Sequence, residues 1–188
     1  MANNALKPTI RPASQVRGAA QACAAIYGEY VRDTVTSFET EPPTAKEMAA
    51  RIERIERTHP WLVAEIEGRV VGFAYGSPHR ERAAYRWAAD VSVYIEPGSH
   101  RRGIGRELYA ALFEMLRAQG LLIACAGVTL PNDASVALHE SFGFVPVGVY
   151  RGIGYKSGAW LDVGWWQLEL ARPAADPPPE PTAPPNGS

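Results

Sequence analysis

The sequence predicts one mixed α/β domain, on three observations. A length of 188 residues with 46% hydrophobic content suffices for a single well-buried core. Apolar residues recur with strand and helix periods in the order β-α-α-β-β-β-α-β-α-β-β, about seven strands with four helices in a mixed sheet. In the middle of that order, Val91 to Leu108 reads as strand, tight basic turn and helix, an arrangement that suits an anion bound at a helix start.

Met1 to Pro8 is polar and reads as a flexible N-terminus ahead of a domain spanning 9–171. Thr9 to Pro12 makes a short first strand, and Ser14 is a cap for a helix that carries Val16, Ala19, Cys23, Ile26 and Tyr30 on one side and stops near Asp33. Thr34 to Pro43 is a loop with Phe38 as its large apolar residue. Thr44-Ala-Lys-Glu47 is a capping-box pattern, which starts a second helix burying Met48, Ile52 and Ile55 and ending before Pro60. Trp61 to Ile66 and Val70 to Tyr75 are apolar runs split by the hairpin signal Glu67-Gly68-Arg69, and a third run covers Tyr85 to Ile95. Pro97 and Gly98 end that strand, and Ile104, Leu108, Leu112 and Met115 then recur at helical spacing.

Leu121 to Thr129 is a continuous apolar strand of the kind buried on both faces, broken by Pro131-Asn132-Asp133. A short helix covers about 134–142, capped at its C-terminus by Gly143, and Phe144 to Tyr150 and Val163 to Leu170 are the last two strands. Beyond Arg172 the composition shifts abruptly. Residues 172–188 include seven of the chain's 16 prolines and almost nothing for a core, so an extended disordered tail is expected.

A net charge of −1 and a pI near 6.4 give no general attraction for nucleic acid or an anionic membrane, so the arginines matter through local clustering. No apolar run reaches membrane-spanning length, and Met1-Ala-Asn-Asn4 lacks a signal-peptide apolar region. Cys23 and Cys125 sit in apolar surroundings without metal-ligand spacing, so free buried thiols in a reducing cytoplasm are expected, with no metal.

The chemistry concentrates in the basic turn. Gly103 and Gly105 let backbone N–H groups approach a ligand, the first-turn amides and helix dipole attract phosphate, and Arg101, Arg102 and Arg106 add positive charge. A dinucleotide loop would need a third glycine and a later acidic residue, and a P-loop would need Gly-Lys-Ser/Thr; neither is present. What remains, His100-Arg-Arg-Gly-Ile-Gly105, resembles the acetyl-CoA motif of the GNAT N-acetyltransferases, Q/R-x-x-G-x-G/A, with His at its first position. Asn132 to Phe144 is similar to the second GNAT motif, in which an Asn opens a helix and Gly-Phe closes it. His139 within it, with Tyr85-Arg-Trp87, Trp61-Leu-Val-Ala-Glu65, Leu130-Pro-Asn-Asp133 and Asp162 to Leu168, resembles the phosphinothricin N-acetyltransferase branch, a likeness running from about Ile10 to Leu170.

That resemblance implies the GNAT acyl-CoA N-acyltransferase fold and direct transfer from acetyl-CoA to a primary amine. An ammonium group must lose a proton before it attacks a thioester, so a base or a water path to one is required. Asp90 aligns with the family's catalytic Glu and is one methylene shorter; its other reading is a carboxylate that hydrogen-bonds a turn. His139 is a second candidate, as proton acceptor, as donor to the leaving thiolate or as a contact to the thioester. The resemblance implies that the strand residues Val93, Tyr94 and Ile95 pair with the pantetheine arm and supply a backbone donor to the reacting carbonyl, that Ile104 belongs to the cradle, and that Asn132 contacts the cofactor or simply caps its helix.

For the acceptor, Arg80 and Arg82 can bind carboxylate or phosphinate by bidentate hydrogen bonds, or be only a solvated charged loop. By resemblance Tyr85 contacts substrate, and Phe38, Gly127 and Val163 form the apolar wall of its pocket. The expectation is an acetyl-CoA-dependent N-acetyltransferase for an amino-acid analogue such as phosphinothricin, methionine sulfoximine or methionine sulfone, working as a cytoplasmic homodimer. A GNAT enzyme for an aminoglycoside or polyamine, and a non-catalytic acyl-CoA-binding module, remain as alternatives.

Overall fold

The computed structural model describes residues 7–173 and 176–184. Most of the expected flexible N-terminus and part of the Pro-rich tail lie outside the described residues. Seven strands form one sheet in the order β1-β2-β3-β4-β5-β7-β6. In chain order these are β1 (Thr9–Pro12), β2 (Trp61–Ile66), β3 (Arg69–Pro78), β4 (Ala88–Ile95), β5 (Ile123–Leu130), β6 (Val145–Lys156) and β7 (Ala159–Glu169). Four α-helices cover the faces: α1 (Ala19–Asp33) and α2 (Ala45–Glu56) on one, α3 (Ile104–Ala118) on the other, with α4 (Asp133–Ser141) following β5. Every strand pairing is antiparallel except β4 with β5, where α3 is the crossover between two parallel strands.

The two faces have separate cores. Leu108, Leu112 and Leu116 of α3 are fully buried at the helical spacing that the sequence shows, against Ala74, Val91 and Ala126 of the sheet. Each such leucine contributes roughly 1.5–3 kcal/mol of transfer free energy. On the other face, Cys23, Ile26 and Val31 of α1 and Met48 and Ile52 of α2 pack on Trp61, Val63 and Phe73. Alternation along the strands assigns each residue to its face, so Asp90, Ser92 and Tyr94 share the α1–α2 side while Val91 and Val93 share the α3 side.

Several expectations are corrected. α1 starts at Ala19, because Gly18 takes a left-handed conformation at its N-cap, and Ser14 lies in a separate 3-10 turn. The strand expected from Tyr85 starts at Ala88, since Ala83–Tyr85 winds into a 3-10 turn. β6 and β7 extend into a long hairpin through the turn Ser157-Gly158, where both residues have positive φ. The capping box at Thr44 forms in full, with Thr44 and Glu47 exchanging backbone and side-chain hydrogen bonds.

The tail also departs from the expected disorder. Its described part has no helix or strand, yet it lies against the domain: Trp87 Nε1 donates to the Pro179 carbonyl at 2.9 Å, Arg86 pairs with Glu180, and Thr182 N–H donates to the Gln119 carbonyl at 2.8 Å. The Gln119 side chain, 2% exposed, returns a hydrogen bond to the Thr182 carbonyl. Proline-rich chain has free carbonyls, and side-chain donors on the domain, Trp87 and the buried Gln119, supply their partners.

His59 is buried beside this contact and burial pushes its pKa down to about 4. A lowered histidine pKa means that the unfolded chain binds more protons between about pH 4 and 6.5, so stability rises with pH across that window. Lowering the pH from 6.5 to 4 should therefore cost about 3 kcal/mol at most from this residue. Urea unfolding followed across the window should show a shallower slope for His59→Asn, and an unchanged slope would remove His59 from the account.

Candidate active site

The site begins where β4 and β5 part. Their pairing covers Ala88 to Asp90 against Ile123 to Cys125, and beyond that the two strands diverge. The Glu96 N–H donates to the Val71 carbonyl at 2.9 Å, so Glu96 faces β3; by alternation the backbone groups of Tyr94 also face β3, whereas those of Val93 and Ile95 face the gap. Tyr94 thus offers the gap no backbone group, and its ring packs among Tyr27, Tyr30 and Phe73. The Ile95 carbonyl already accepts from Tyr30 Oη at 2.7 Å, with His100 Nε2 3.2 Å away. Val93 keeps its N–H and C=O toward the gap.

A narrow cavity of about 50 Å³ occupies the parting, lined by Ser92, Val93, Gly127, Thr129, Asn132 and His139 among others. Its lining draws on both faces of the sheet, with Val93 and Tyr109 from the α3 side and Tyr94 from the α1–α2 side. A larger recess of about 430 Å³ opens on the second face between α1, α2 and β3. Of its two arginines, Arg51 and Arg54, the first is not free, because it holds Glu39 through two hydrogen bonds of 2.6 and 2.8 Å.

At the α3 end of the gap lies the glycine turn. Gly103 is the N-cap of α3 with φ of 79° and no side-chain cap; the Arg106 N–H donates to the Gly103 carbonyl at 3.0 Å, and the Ile104 and Gly105 amides before it have no protein acceptor among the described residues. A Cβ added at Gly103 would meet nothing within 4 Å, so the approach is open and glycine is demanded by the positive φ. Gly105 lies against Val93, Ile95 and Leu138, where β4, α3 and α4 converge. Ile104 is 2% exposed, so its side chain belongs to the core and only its amide faces the turn. Arg101, with φ of 60°, and Arg102 are exposed on the turn. Arg106 is directed elsewhere: its guanidinium donates to Ser141 Oγ at 3.2 Å and lies 5.2 Å from the Phe142 ring, which draws it toward α4. Uncapped amides, an open approach and two exposed cations fit a pyrophosphate.

Asn132 and His139 border the gap from α4. Asn132 Oδ1 accepts from the Ser135 N–H at 3.1 Å, so the residue is an N-cap whose amide nitrogen remains available. His139 is 3% exposed, with Nδ1 donating to the Ser135 carbonyl at 2.7 Å and Nε2 facing Tyr109 Oη at 2.9 Å. A carbonyl can only accept, so Nδ1 bears the proton and the neutral Nε2 accepts from the tyrosine. Burial lowers the His139 pKa. The proton-accepting role expected of His139 therefore meets an obstacle: both nitrogens are engaged and the charged ring would be desolvated.

The acceptor side carries Asp90, which burial pushes to a raised pKa against the opposing hydrogen bond from His79 and the positive charges of His79 and Arg80. His79 Nδ1 stands 2.6 Å from Asp90 Oδ1. The ring lies edge-on to Tyr85 at 5.8 Å and to Trp165 at 6.1 Å. Arg80 completes this cluster, its guanidinium 5.7 Å from the Trp165 ring and bonded to the His79 carbonyl at 2.9 Å. Arg82 is exposed at the start of the 3-10 turn and makes no side-chain contact among the described residues. Gly127 and Val163 stand opposite Trp165 and Thr129 in the β5–β7 register, on the face of Asp90. A Cβ at Gly127 would meet the Trp165 ring at 3.2 Å, so glycine there makes room for the indole.

Phe38 is held over β6, where a Cβ at Gly154 would meet its ring at 2.0 Å. Its loop is pinned by Lys156, whose buried Nζ donates to the carbonyls of Val31 and Ser37 at 2.8 and 2.7 Å. Sequence reasoning missed His79, Trp165 and Lys156 as site residues. The aromatic pair Trp165-Trp166 and the lone Lys in an apolar hairpin were visible, but each acts through strands distant in sequence. His79, Asp90 and Cys125 also offer donor atoms within 4.8 Å of one another, a cluster that no sequence spacing reveals because two strands and a loop assemble it.

The profile of the Acetyltransferase (GNAT) domain family matches residues 19–165. The chain is 42% identical over 175 residues to the phosphinothricin N-acetyltransferase of Streptomyces viridochromogenes, covering 93% of each chain. It is 35% identical over 148 residues to an L-methionine sulfoximine/L-methionine sulfone acetyltransferase of Pseudomonas paraeruginosa, covering 78% of this chain and 86% of the relative. A GNAT superfamily phosphinothricin acetyltransferase from Sinorhizobium meliloti, crystallised with acetyl-CoA, superposes with a TM-score of 0.82 at 34% identity, covering 94% of each chain. With its central parallel strands parted beside an uncapped glycine turn, and with these relatives, the chain belongs to the GNAT acetyltransferase family.

Proposed function

We propose that this enzyme transfers the acetyl group of acetyl-CoA to the α-amine of a small amino-acid analogue of the phosphinothricin or methionine sulfoximine type. The observation that carries the reading is the gap between β4 and β5, with an anion-binding turn at one end and the Arg80–Trp165–Asp90 cluster at the other. Gly103 and Gly105, with Arg101 and Arg102, would hold the pyrophosphate, and Val93 would pair with the pantetheine arm. Bound acetyl-CoA supplies a thioester carbonyl, an electrophile that needs a neutral amine and a nearby hydrogen-bond donor. Half-buried Asp90 supplies the negative charge that draws a proton from the substrate ammonium. His139 acts as a contact at the thioester, ordered by Tyr109 and Ser135.

Arg80 is assigned to the acceptor's anionic end, since its guanidinium is fixed over Trp165 on the face of Asp90. Arg82 is a second, more exposed clamp. Phe38, Tyr85, Gly127 and Val163 bound the apolar part of the pocket. This arrangement favours an amino acid over a polyamine, because a guanidinium beside the amine site repels a second cation.

A homodimer is also proposed. The β6–β7 hairpin exposes Val145, Val147, Ile153 and Tyr155 on the edge strand β6, with Trp160 of β7, 70% exposed, beside Tyr155. A contiguous apolar edge of that kind suits a second copy of the same surface. Cys23 and Cys125 are both free and buried, which suits work in a reducing cytoplasm. No helix among the described residues is long and apolar enough to cross a membrane.

Thiol release should be strongest with phosphinothricin, methionine sulfoximine or methionine sulfone, and weak with glutamate, spermidine and an aminoglycoside. Arg80→Ala should lower kcat/KM for the preferred analogue about ten- to a hundredfold, the effect of losing a charge-assisted hydrogen bond of roughly 1.5–3 kcal/mol. Preference for spermidine or the aminoglycoside, with Arg80→Ala fully active, would overturn the acceptor assignment.

Gly103→Val forces a β-branched residue into a positive φ, with strain of about 1–2 kcal/mol, and should weaken acetyl-CoA binding in calorimetry. Equal affinity in a folded variant would remove the cradle from the mechanism. In sedimentation equilibrium the wild type should have twice the chain mass and Trp160→Asp should shift toward monomer; a monomeric wild type rules the dimer out.

A further inference from the structure

We propose that His79 is the group that takes the proton from the acceptor amine, and that Asp90 orients and charges its ring. The inference rests on the acetyl-transfer reading and deepens it by naming the atom that receives the proton. Asp90 is fixed on a strand, and its Oδ1 is already occupied at 2.6 Å by His79 Nδ1. A hydrogen bond that short between imidazole and carboxylate holds the ring with Nδ1 protonated and Nε2 turned away from the strand. Nε2 has no hydrogen-bond partner among the described residues, and it is absent from the buried side-chain atoms left without a partner, so it is not sealed from solvent. His79 also has its backbone N–H directed at the Ala88 carbonyl at 3.4 Å, which ties the residue to the head of β4.

The ring stands between Tyr85 and Trp165, within the cluster to which the acetyl-transfer reading assigns the acceptor. Asp90 alone is one methylene shorter than the glutamate its position suggests, and the imidazole carries its charge the missing distance. The ionisable groups packed around the pair favour this division. Arg80 lies beside it on the same loop, Cys125 of β5 is pushed up to about 11 and stays a neutral thiol, and Tyr75 of β3 is raised by burial and stays a neutral phenol. Tyr85 flanks it from the 3-10 turn. Asp90 is therefore the single acidic group in contact with the ring among the described residues, and it stabilises the imidazolium that forms.

The proton balance closes with these groups. The Nε2 lone pair takes one proton from the substrate ammonium, leaving a neutral amine. The amine nitrogen forms its bond to the thioester carbonyl carbon, the carbon–sulfur bond breaks, and the nitrogen's remaining extra proton goes to the departing sulfur. The imidazolium then releases its proton to water, so each turnover yields amide, thiol and one proton.

Three variants separate an acceptor from a mere support. His79→Asn keeps a donor near the position of Nδ1 for Asp90 but removes the accepting nitrogen. It should bind acetyl-CoA and phosphinothricin in calorimetry as the wild type does, lose about 10²- to 10⁴-fold in kcat/KM, and lose the ascending limb of the pH profile. His79→Ala should regain rate when imidazole is added, and Asp90→Asn should retain the limb with a lower kcat. His79→Asn with wild-type kcat/KM and an unchanged limb overturns the proposal and returns the role to Asp90. Absence of imidazole rescue in a His79→Ala protein that still binds acetyl-CoA overturns it equally. If the wild type acetylates no amine in the panel, the acetyl-transfer reading itself falls and the pair falls with it; an active wild type isolates the question of His79.

Discussion

The structure depends on one interruption: the backbone pairing of β4 and β5 stops at Asp90 and Cys125. Inside a sheet every N–H and C=O wants a partner, and a strand that loses its neighbour within the domain exposes groups that are costly to leave unmet. At Ile95 the protein satisfies them itself, through Tyr30. At Val93 it leaves them to the gap. A ligand with an amide-bearing arm can take the place of the missing strand, and the parting is thus both a flaw in the sheet and the reason that the fold binds what it binds.

Keeping the strands apart requires rigid supports on both sides. α3 packs three fully buried leucines beneath β3 and β4, which sets the angle of its N-terminus toward the gap. On the far side, β5 ends at Pro131, Asn132 caps α4, and Tyr109 of α3 reaches His139 of α4. That hydrogen bond couples the two helices across the opening. The β6–β7 hairpin does the same from the acceptor side, since Lys156 and Gly154 fix the loop of Phe38. A lysine is expensive to bury, and its desolvation lowers its pKa; two carbonyl acceptors offset the cost.

Local signals in the sequence were legible in proportion to how local their causes are. The capping box at Thr44, the period of α3 and the left-handed turn at Gly103 each arise from a few neighbouring residues, and each could be read directly. The start of α1 was misread because Gly18 and Ser14 compete as caps, and the backbone's preference for a left-handed glycine won over side-chain capping. The long hairpin was missed because β6 has apolar residues facing outward, which defeats an alternation rule that assumes one wet face. The site was half legible. Asp90 and Tyr85 could be named through the family resemblance and Arg80 through its charge, but His79 reads as loop until the β3–β4 register brings Pro78 beside Ala89. Trp165 becomes a wall of the pocket only because Gly127 faces it across another pair of strands.

The His79–Asp90 pair also bears on stability, and the sign argues that it is kept for function. Burial raises the Asp90 pKa in the folded state. Between its unfolded and folded values the folded chain then binds more protons than the unfolded chain, so stability falls as pH rises through that interval. At neutral pH an ionised Asp90 opposes folding, and an apolar residue in its place would avoid the penalty. The hydrogen bond from His79 and the charge of Arg80 recover part of it, but only part, because the direction of the shift remains upward. A half-buried carboxylate whose partners do not fully compensate it is poorly explained as a support for the strand. In the proposed reaction it is stored negative charge, held where the substrate ammonium would give up its proton.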